Sequence, residues 1–453
     1  MANNGPFFLL LLVSAAPEKT MATKECLHSG LDLFGVPALH TAIEESEYVE
    51  HRPLAALGAD GPVEFVVSGG APYLDLANSY LRVKVKVVQP NGDNLAADAK
   101  VCPVNLTLHS MWSDLTLFVG GVEVSNCSGA YPYLAYLQTL LTYGRDAKQS
   151  HLQASMWYHD SASHFNSMAE LENAGVRHRK ARTAESNVVD MVGRLHSDLF
   201  HQSKFLLNHL DVRVKLTRSK DAFVLMRGAA VPPADPIDFK LQLLDASLFV
   251  RKVTVNPAIV LAHEKTLMQH NAKYPMTKSV MRIYTAPAQS MNFSVDNMFL
   301  DHLPTRLVLG FVKAKAYNGD YTENPFLFLN CNITNLCLHH QGKQIPTRGL
   351  QPNFTTKEYT RSYMTLFNGT NTAWTDSSCS VSWSDYAGGY TLWCFDLTNS
   401  LSHAPEATEV TRAGPLRFEC KFEKALEEAH NLIVYAEFQS HIQISRSREV
   451  LVL

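Results

Sequence analysis

The stretch Leu210-Asp211-Val212-Arg213-Val214-Lys215-Leu216 alternates strictly between apolar and charged side chains. Almost half the chain away, Leu416-Arg417-Phe418-Glu419-Cys420-Lys421-Phe422 has the same pattern, and so does the earlier stretch 81–87. Successive side chains of a β-strand point to opposite faces, so this alternation predicts antiparallel sheets with one buried and one solvated face. Because the pattern recurs in both halves, we expect two similar β domains in tandem.

Length and composition agree with that expectation. The chain has 453 residues, which suits two domains of about 200 residues each. Hydrophobic residues make up 46% of it, enough for two large cores. The formal net charge of −3 provides no overall field that would attract nucleic acid, so any contact with a genome would be local.

Short apolar segments separated by Gly and Pro turns continue along both halves. Gly120-Gly121 is a two-residue hairpin connection. Helical spacing is confined to a few places, such as Tyr133 to Leu141 with Gly144 as the stop, and the segment after Asn256-Pro257, a cap followed by a first-turn proline. Strands are predicted at 63–67, 81–88, 115–119, 122–124, 188–195, 210–216, 239–255, 280–284, 306–312, 326–338, 390–395, 416–422 and 432–438.

This organisation predicts an all-β fold of two tandem antiparallel jelly-roll β-sandwiches, with a few short helices and long loops. A jelly roll is favoured over an immunoglobulin-like sandwich because each half is large and carries a long insertion, at 145–187 and 368–389. The Pro-rich segment 231–236 is a suitable linker. We therefore predict an N-terminal extension at 1–30, a first jelly roll at 31–230 and a second at 237–453.

The N-terminal extension contains the apolar run Phe7-Phe8-Leu9-Leu10-Leu11-Leu12-Val13, followed by Ser14-Ala15-Ala16. This imitates a signal peptide, but no basic residue precedes it and it is too short to span a bilayer. Met21 offers a second start. We interpret residues 1–20 as dispensable or as a product of gene modelling, with secretion as the alternative.

The chain has eight cysteines, and they form no CxxC pair. Cys331 and Cys337 are too widely spaced for a zinc knuckle. A chain of this size does not need disulfides for stability, so free thiols in a reducing compartment are predicted.

Nine segments in order along the chain resemble one protein family. They are LDLFGVP at 31–37, YPYLAYLQTLLTYG at 131–144, MVGRLHSD at 191–198, RSKDAF at 218–223, LFVRKV at 248–253, LPTR at 303–306, YNGDY at 317–321, RSYMTLF at 361–367 and IVYAEF at 433–438. The family is the double jelly-roll major capsid protein, or hexon, of Polinton (Maverick) elements and adintoviruses. The similarity runs from about residue 31 to about residue 451, and residues 1–20 have no counterpart in it.

The resemblance implies a structural protein of the virion capsid and not an enzyme. Three copies would form a capsomer with pseudo-six-fold symmetry, and capsomers would tile an icosahedral shell. The implied partners are other copies of the chain, a minor (penton) capsid protein and, at most weakly, packaged DNA. No cofactor, metal, catalytic residue or membrane span is implied. In the host cell we expect the protein in the cytoplasm or nucleus, and do not expect secretion.

The densest basic cluster is Arg177-His178-Arg179-Lys180-Ala181-Arg182. Three interpretations stay open for it: a solvated basic loop, a nuclear localisation signal, or a contact with packaged DNA. The acidic run Glu44, Glu45, Glu47 and Glu50 is expected to be surface charge or to pair with a neighbouring subunit.

Features that could carry chemistry are weak. His263, Glu264 and His270 do not have the HExxH spacing, and His339-His340 is expected to be an exposed pair. The chain has no G-x-S-x-G, P-loop or G-x-G-x-x-G motif. The aromatic sets are expected to be core or interface residues and not a sugar platform; they are Tyr131, Tyr133, Tyr136, Trp374, Trp383 and Trp393.

Two other functions remain to be distinguished from the capsid role. A secreted jelly-roll carbohydrate-binding module would need disulfides and an exposed aromatic platform. A β-sandwich hydrolase would need converging carboxylates or a catalytic triad in a cleft. The chain could also be a host-retained, capsid-derived protein with another role.

Overall fold

Nineteen strands and nine α-helices form the described part of the computed structural model, which comprises residues 39–58, 61–228, 238–376, 378–401 and 410–453. The strands are β1 (Ile43–His51), β2 (Val63–Val67), β3 (Tyr73–Val88), β4 (Val101–Pro103), β5 (Trp112–Val119), β6 (Val122–Asn126), β7 (Val189–Gly193), β8 (Val212–Arg218), β9 (Leu225–Arg227), β10 (Lys240–Val255), β11 (Ala272–Ala286), β12 (Asn292–Phe299), β13 (Arg306–Lys313), β14 (Ile333–His340), β15 (Lys343–Leu350), β16 (Trp393–Asp396), β17 (Leu416–Phe422), β18 (His430–Ile444) and β19 (Val450–Val452). The helices are α1 (Thr107–Ser110), α2 (Tyr131–Thr142), α3 (Arg145–Lys148), α4 (Ala174–Thr183), α5 (Asp221–Val224), α6 (Pro257–Leu267), α7 (Ala314–Asn318), α8 (Thr360–Gly369) and α9 (Trp383–Ala387).

The strand order is the same in both halves. The first half has sheets β1-β10-β3-β7 and β2-β8-β5-β6, and the second has β11-β18-β13-β16 and β12-β17-β14-β15. Without the short strands β4, β9 and β19, each half has eight strands, which we number 1 to 8 in chain order. In this 1–8 numbering the two sheets of each half have the orders 1-8-3-6 and 2-7-4-5. This is the strand order of a jelly roll. The predicted fold class, an all-β tandem of two antiparallel jelly-roll sandwiches, is confirmed.

The topology corrects where the first sandwich ends. β10 is its eighth strand, and pairs with β1 on one side and β3 on the other. It nevertheless follows the predicted linker at 231–236, because that segment connects the seventh strand to the eighth and does not join two domains. By sheet membership, the first sandwich extends to Val255 and the second begins at Ala272. That the two sandwiches are separate domains stays a prediction.

Burial follows the alternation seen in the sequence. In β17, Leu416, Phe418, Cys420 and Phe422 are buried while Arg417 and Lys421 are exposed. In β8 the apolar side chains are likewise buried. The inner faces of the second sandwich form one apolar cluster, and a larger cluster combines the first sandwich with residues of the second that face it.

Local signals were also accurate at turns and helix starts. Gly120 and Gly121 have φ angles of 56° and 82°, as a tight hairpin with two left-handed residues requires. The Asn256 side chain accepts a hydrogen bond of 2.9 Å from the backbone N–H of Ala258, so α6 begins where the cap predicted it.

Two predictions were wrong in detail. The apolar segment 326–338 becomes a strand only from Ile333, because Phe328 and Leu329 form isolated bridges with Tyr390 and Phe311 and not a continuous ladder. The expected loops 145–187 and 368–389 contain helices: α3 and α4 in the first, and α9 in the second, which α8 precedes. Asn173 starts α4 by accepting backbone hydrogen bonds from Gly175 and Val176.

Some predictions lie outside the described residues. These are the N-terminal extension with its apolar run and Met21, the linker 231–236, the segment 31–37 and Cys26. The other seven cysteines are free thiols, as predicted. Among the described residues, no helix is both long and apolar enough to cross a membrane.

Candidate functional surface

The long connections of each sandwich begin and end on one side of it. All pairings within the four sheets are antiparallel, so in the 1–8 numbering of each half the odd strands of a sheet run opposite to its even strands. The connection between strands 3 and 4 of this numbering and the connection between strands 5 and 6 therefore start and finish at the same end of the sandwich. We call this end the insertion end. They span residues 89–111 and 127–188 in the first sandwich, and 314–332 and 351–392 in the second.

Aromatic side chains join the insertion ends of the two sandwiches. Tyr136 of α2 stacks on Phe326 with ring centroids 4.2 Å apart and an angle of 2° between the planes. Tyr133 stacks on Tyr317 at 5.7 Å. Stacked and edge-on aromatic pairs add to the free energy of apolar burial, so this contact holds the two insertion ends together. Both sandwiches therefore point their insertions to the same side.

Polar contacts reinforce this joint. The Tyr390 hydroxyl donates to the carbonyl of Asp160 at 2.8 Å, and Asn324 donates to the carbonyl of Phe165 at 3.3 Å. Lys148 is buried and donates to the carbonyls of Leu140 and Cys379 at 2.7 and 2.6 Å. Burial lowers the pKa of Lys148 to about 8. A segment that the sequence presented as a loop thus forms part of the contact between sandwiches.

The basic cluster is partly inside the protein. Arg179 and Asp160 form an ion pair of 2.7 Å in which both side chains are fully buried. The same guanidinium donates to the carbonyls of Pro103 and Tyr158 at 2.8 and 3.0 Å. The solvated-loop interpretation is therefore wrong for Arg179. Arg177 and His178 are exposed, so nuclear import or DNA contact stays a hypothesis that rests on them.

A buried polar network lies between the two sandwiches. His109 accepts from or donates to the Tyr131 hydroxyl at 2.9 Å, and His196 contacts the Gln138 amide oxygen at 2.8 Å. From the second sandwich, Tyr435 contacts Gln138 at 3.4 Å. Burial lowers the pKa of His109 to about 3 and places that of His196 well below its ordinary value.

Asp198 has the opposite shift. Its carboxylate accepts the backbone N–H of Ser279 at 3.1 Å, and burial raises its pKa to about 7 from an ordinary 3.8. Between pH 7 and pH 3.8 this carboxyl is therefore protonated in the folded chain and ionised in the unfolded chain. Its contribution to the free energy of unfolding increases as the pH falls. The two buried histidines, His109 and His196, act in the other sense. Their contribution to the free energy of unfolding is complete above pH 6.5 and is lost as the pH falls, because the unfolded chain binds their protons first.

We expect stability to decrease between pH 6.5 and 4, since two histidines outweigh one carboxyl. Each net proton is worth about 1.4 kcal/mol per pH unit. Replacing the buried His109 with Gln should flatten the fall in the free energy of unfolding by roughly that slope, as measured by urea unfolding at several pH values. His178→Gln, at an exposed histidine, is the control. Equal slopes for wild type and His109→Gln would contradict the assignment.

The other residues singled out from the sequence are structural. Tyr131, Tyr133, Tyr136 and Trp393 are buried in the cores, as predicted, while Trp374 is 93% exposed. His340 is buried, which corrects the expectation of an exposed pair; its ring contacts the carbonyl of Pro415 at 3.3 Å, at the end of β14. The acidic run lies on β1, with Glu44, Glu45, Glu47 and Glu50 exposed, as predicted.

His263 and Glu264 of α6 make ordinary polar contacts. His263 contacts the Tyr73 hydroxyl at 3.0 Å, and Glu264 pairs with Arg448 at 2.6 Å. Among the described residues, no group of three or more His, Cys, Asp or Glu is placed to hold a metal ion. A cavity of about 170 Å³ beside Tyr133 is lined by Ser113, Ser219 and Lys220, whose polar atoms bond to backbone carbonyls. None of the described residues that line it is a carboxylate or a histidine that could act as a base.

One further feature has no signal in the sequence: an aromatic row on the outer face of the sheet β1-β10-β3-β7. Tyr48, Tyr80 and Phe249 follow one another, with ring centroids 5.5 and 5.0 Å apart. The Tyr48 side chain is 51% exposed. Only the register places these rings together, because they come from three strands that are distant in sequence.

Comparison with known structures gives the architecture a precedent. The chain superimposes on a chain of the Sputnik virophage with a TM-score of 0.63 and 14% identity, covering 100% of this chain and 94% of that one. The mavirus major capsid protein gives 0.54 and 10%, covering 99% and 97%. The Faustovirus major capsid protein gives 0.55 and 10%, covering 91% and 92%. The fold is that of viral major capsid proteins.

Sequence comparisons are less informative. No protein-family model matches the chain. An uncharacterized protein of Caenorhabditis elegans is 24% identical over 430 residues, covering 92% of this chain and 99% of that protein. The mavirus and Faustovirus structures of similar fold are capsid proteins.

Proposed function

We propose that this chain is a major capsid subunit that self-assembles as trimers into an icosahedral shell. The observation that carries the proposal is that two sandwiches of identical strand order point their insertion ends to the same side. Three copies of such a chain present six similar blocks around one axis. A single gene product can thereby fill hexagonal positions of a shell.

The proposal extends to the source of the shell. The nine segments that resemble Polinton and adintovirus capsid proteins support a virus-like DNA element or related virus. A relative encoded by a nematode fits an element integrated in animal genomes. The proposed partners are further copies of the chain and a penton protein, with at most weak DNA contact through residues such as Arg177. The proposed location is the virion, assembled in the host cytoplasm or nucleus.

A carbohydrate-binding module is less well supported. Tyr131, Tyr133 and Tyr136 are all buried, so they cannot offer ring faces to a sugar. The described cysteines are free thiols, without the disulfides typical of a secreted domain.

The test is assembly of the purified chain, expressed both in full and from Met21. We expect light scattering to give three times the monomer mass, and negative-stain microscopy to show hexagonal capsomers or shells. A chain that remains monomeric at high concentration would contradict the capsid role.

A further inference from the structure

The helix α6, which connects the two sandwiches, is apolar and yet exposed. Its first six residues are Pro, Ala, Ile, Val, Leu and Ala, but in the whole helix Leu267 alone is buried. An apolar helix is normally enclosed by the rest of the protein, as α2 is, with ten of its twelve residues buried. The described part of the chain therefore leaves apolar surface of α6 uncovered.

The exposed side chains of α6 form one outward face. Ala258, Leu261, Lys265 and Met268 follow one another at intervals of three or four residues, which places them on the same side of the helix, and all four are exposed. The exposed fraction is 71% for Leu261 and 62% for Met268. Large apolar side chains that are exposed as a group mark an interaction surface.

Basic side chains flank this face at the last turns of the helix. Glu264, at its margin, pairs with Arg448 at 2.6 Å. That hydrogen bond lowers the pKa of Glu264, and the nearby charges of Arg446 and His209 act in the same direction. Lys265 lies on the outward face itself, and both Lys265 and Arg446 are exposed. Since the one carboxylate of α6 is already paired, the charge beside the apolar face is positive.

The face and its basic flank lie at the end of the sandwiches opposite to the insertion ends. Even strands of the 1–8 numbering finish there, because the connections at the insertion ends follow odd strands. β10 and β18 are the eighth strands, and α6 and Arg446 come directly after them. The acidic run of β1 begins at this end too, but Ile43 pairs with Val255, which places it beside the first turn of α6. The basic flank therefore belongs to the last turns.

We propose that the outward face of α6 binds the surface of an anionic lipid bilayer. Leu261 and Met268 enter the boundary between headgroups and acyl chains, while Lys265 and Arg446 face the lipid phosphates. Binding of this kind becomes tighter with the apolar area buried and with the attraction to anionic lipids. The exposed leucine and methionine favour a bilayer over nucleic acid, whose backbone is bound mainly through charge.

This inference goes beyond the proposed function, because a single chain has the whole binding face. Only the number of copies that act together rests on the proposed function. A trimer has three copies of α6 at one end, and linked weak contacts bind more tightly than separate ones. We therefore expect assembled capsomers to bind vesicles more tightly than monomers do.

Flotation of the full chain with lipid vesicles tests the proposal. Vesicles of phosphatidylcholine with about 30% phosphatidylserine should bind the chain roughly 30-fold more tightly than phosphatidylcholine alone. Leu261→Gln with Met268→Gln removes the apolar contact without adding a charge, and should weaken binding to the anionic vesicles by about 100-fold. Lys265→Gln with Arg446→Gln should weaken it by about 30-fold.

All four substituted side chains are exposed, so both double variants should unfold at the wild-type temperature. Leu171→Gln is the matched control, because this leucine is 99% exposed on the insertion 127–188, at the other end of the sandwich. It should bind anionic vesicles as the wild type does.

Three results would overturn the inference. The first is a wild type that does not bind anionic vesicles. The second is vesicle binding that Leu261→Gln with Met268→Gln leaves unchanged, which would assign it to charge alone, as for DNA, or to the apolar run at 7–13. The third is loss of trimers in that variant without lipid, which would show that another copy covers α6. A wild type that assembles without binding vesicles leaves the proposed function standing, whereas one that binds vesicles but stays monomeric contradicts the proposed function alone.

Discussion

Replacing Arg179 with Met should lower the free energy of unfolding by about 3–5 kcal/mol. The substitution removes one partner of an ion pair whose two side chains have no exposed surface, and leaves the Asp160 carboxylate buried without its cation. It also removes donors from the carbonyls of Pro103 and Tyr158. The guanidinium bridges the connection between strands 3 and 4 and the connection between strands 5 and 6 of the first sandwich. Its removal should therefore lower the urea concentration at the midpoint of unfolding.

The same helix provides a matched control. Arg177→Met changes the same side chain two residues earlier at an exposed position, and should shift stability by about 0.5 kcal/mol or less. The double variant Arg179→Met with Asp160→Leu should recover part of the loss, since a buried pair replaced by apolar groups leaves no isolated charge. Equal effects of Arg177→Met and Arg179→Met would show that the buried pair does not stabilise the fold.

Replacing Tyr136 with Ala should cost about 3–5 kcal/mol. The Tyr136 ring is fully buried and stacks on Phe326, so truncation opens a cavity between the sandwiches and removes an aromatic contact. Tyr136→Phe keeps the ring and should cost about 1 kcal/mol or less. Thermal unfolding of the three proteins measures both effects.

The trimer gives a second measure of the same change. If the joint fixes the angle between sandwiches, Tyr136→Ala should also reduce the fraction of regular capsomers seen by microscopy at a temperature where the variant is still folded. A variant that is less stable but assembles like the wild type would show that the stack stabilises the chain without setting its geometry.

The fold was predictable because it rests on local signals. Period-two alternation located β8 and β17, a glycine pair located the hairpin, and an Asn-Pro pair located the start of α6. These signals depend only on side-chain direction and backbone conformation, which adjacent residues determine.

The candidate surface was less predictable because it depends on residues that are distant in sequence. The basic cluster at 177–182 looked solvated, since nothing near it in the sequence indicates that Asp160 lies against Arg179. The aromatic row of Tyr48, Tyr80 and Phe249 depends on the register of three strands. The Pro-rich segment 231–236 had the composition of a domain linker, and only the pairing of β10 revealed that the sandwich continues beyond it.

The late position of β10 has a consequence for biosynthesis. On the ribosome, β1 and β3 emerge long before the strand that must lie between them, so the nascent first sandwich has a gap in one sheet until residue 255 has been made. A fragment that ends at residue 236 should have unpaired strand edges at β1 and β3 and should therefore aggregate. Dividing the polypeptide after residue 256 instead leaves β10 paired with both β1 and β3 in the amino-terminal part, which makes that site the better choice for split-protein work in which both parts are supplied together.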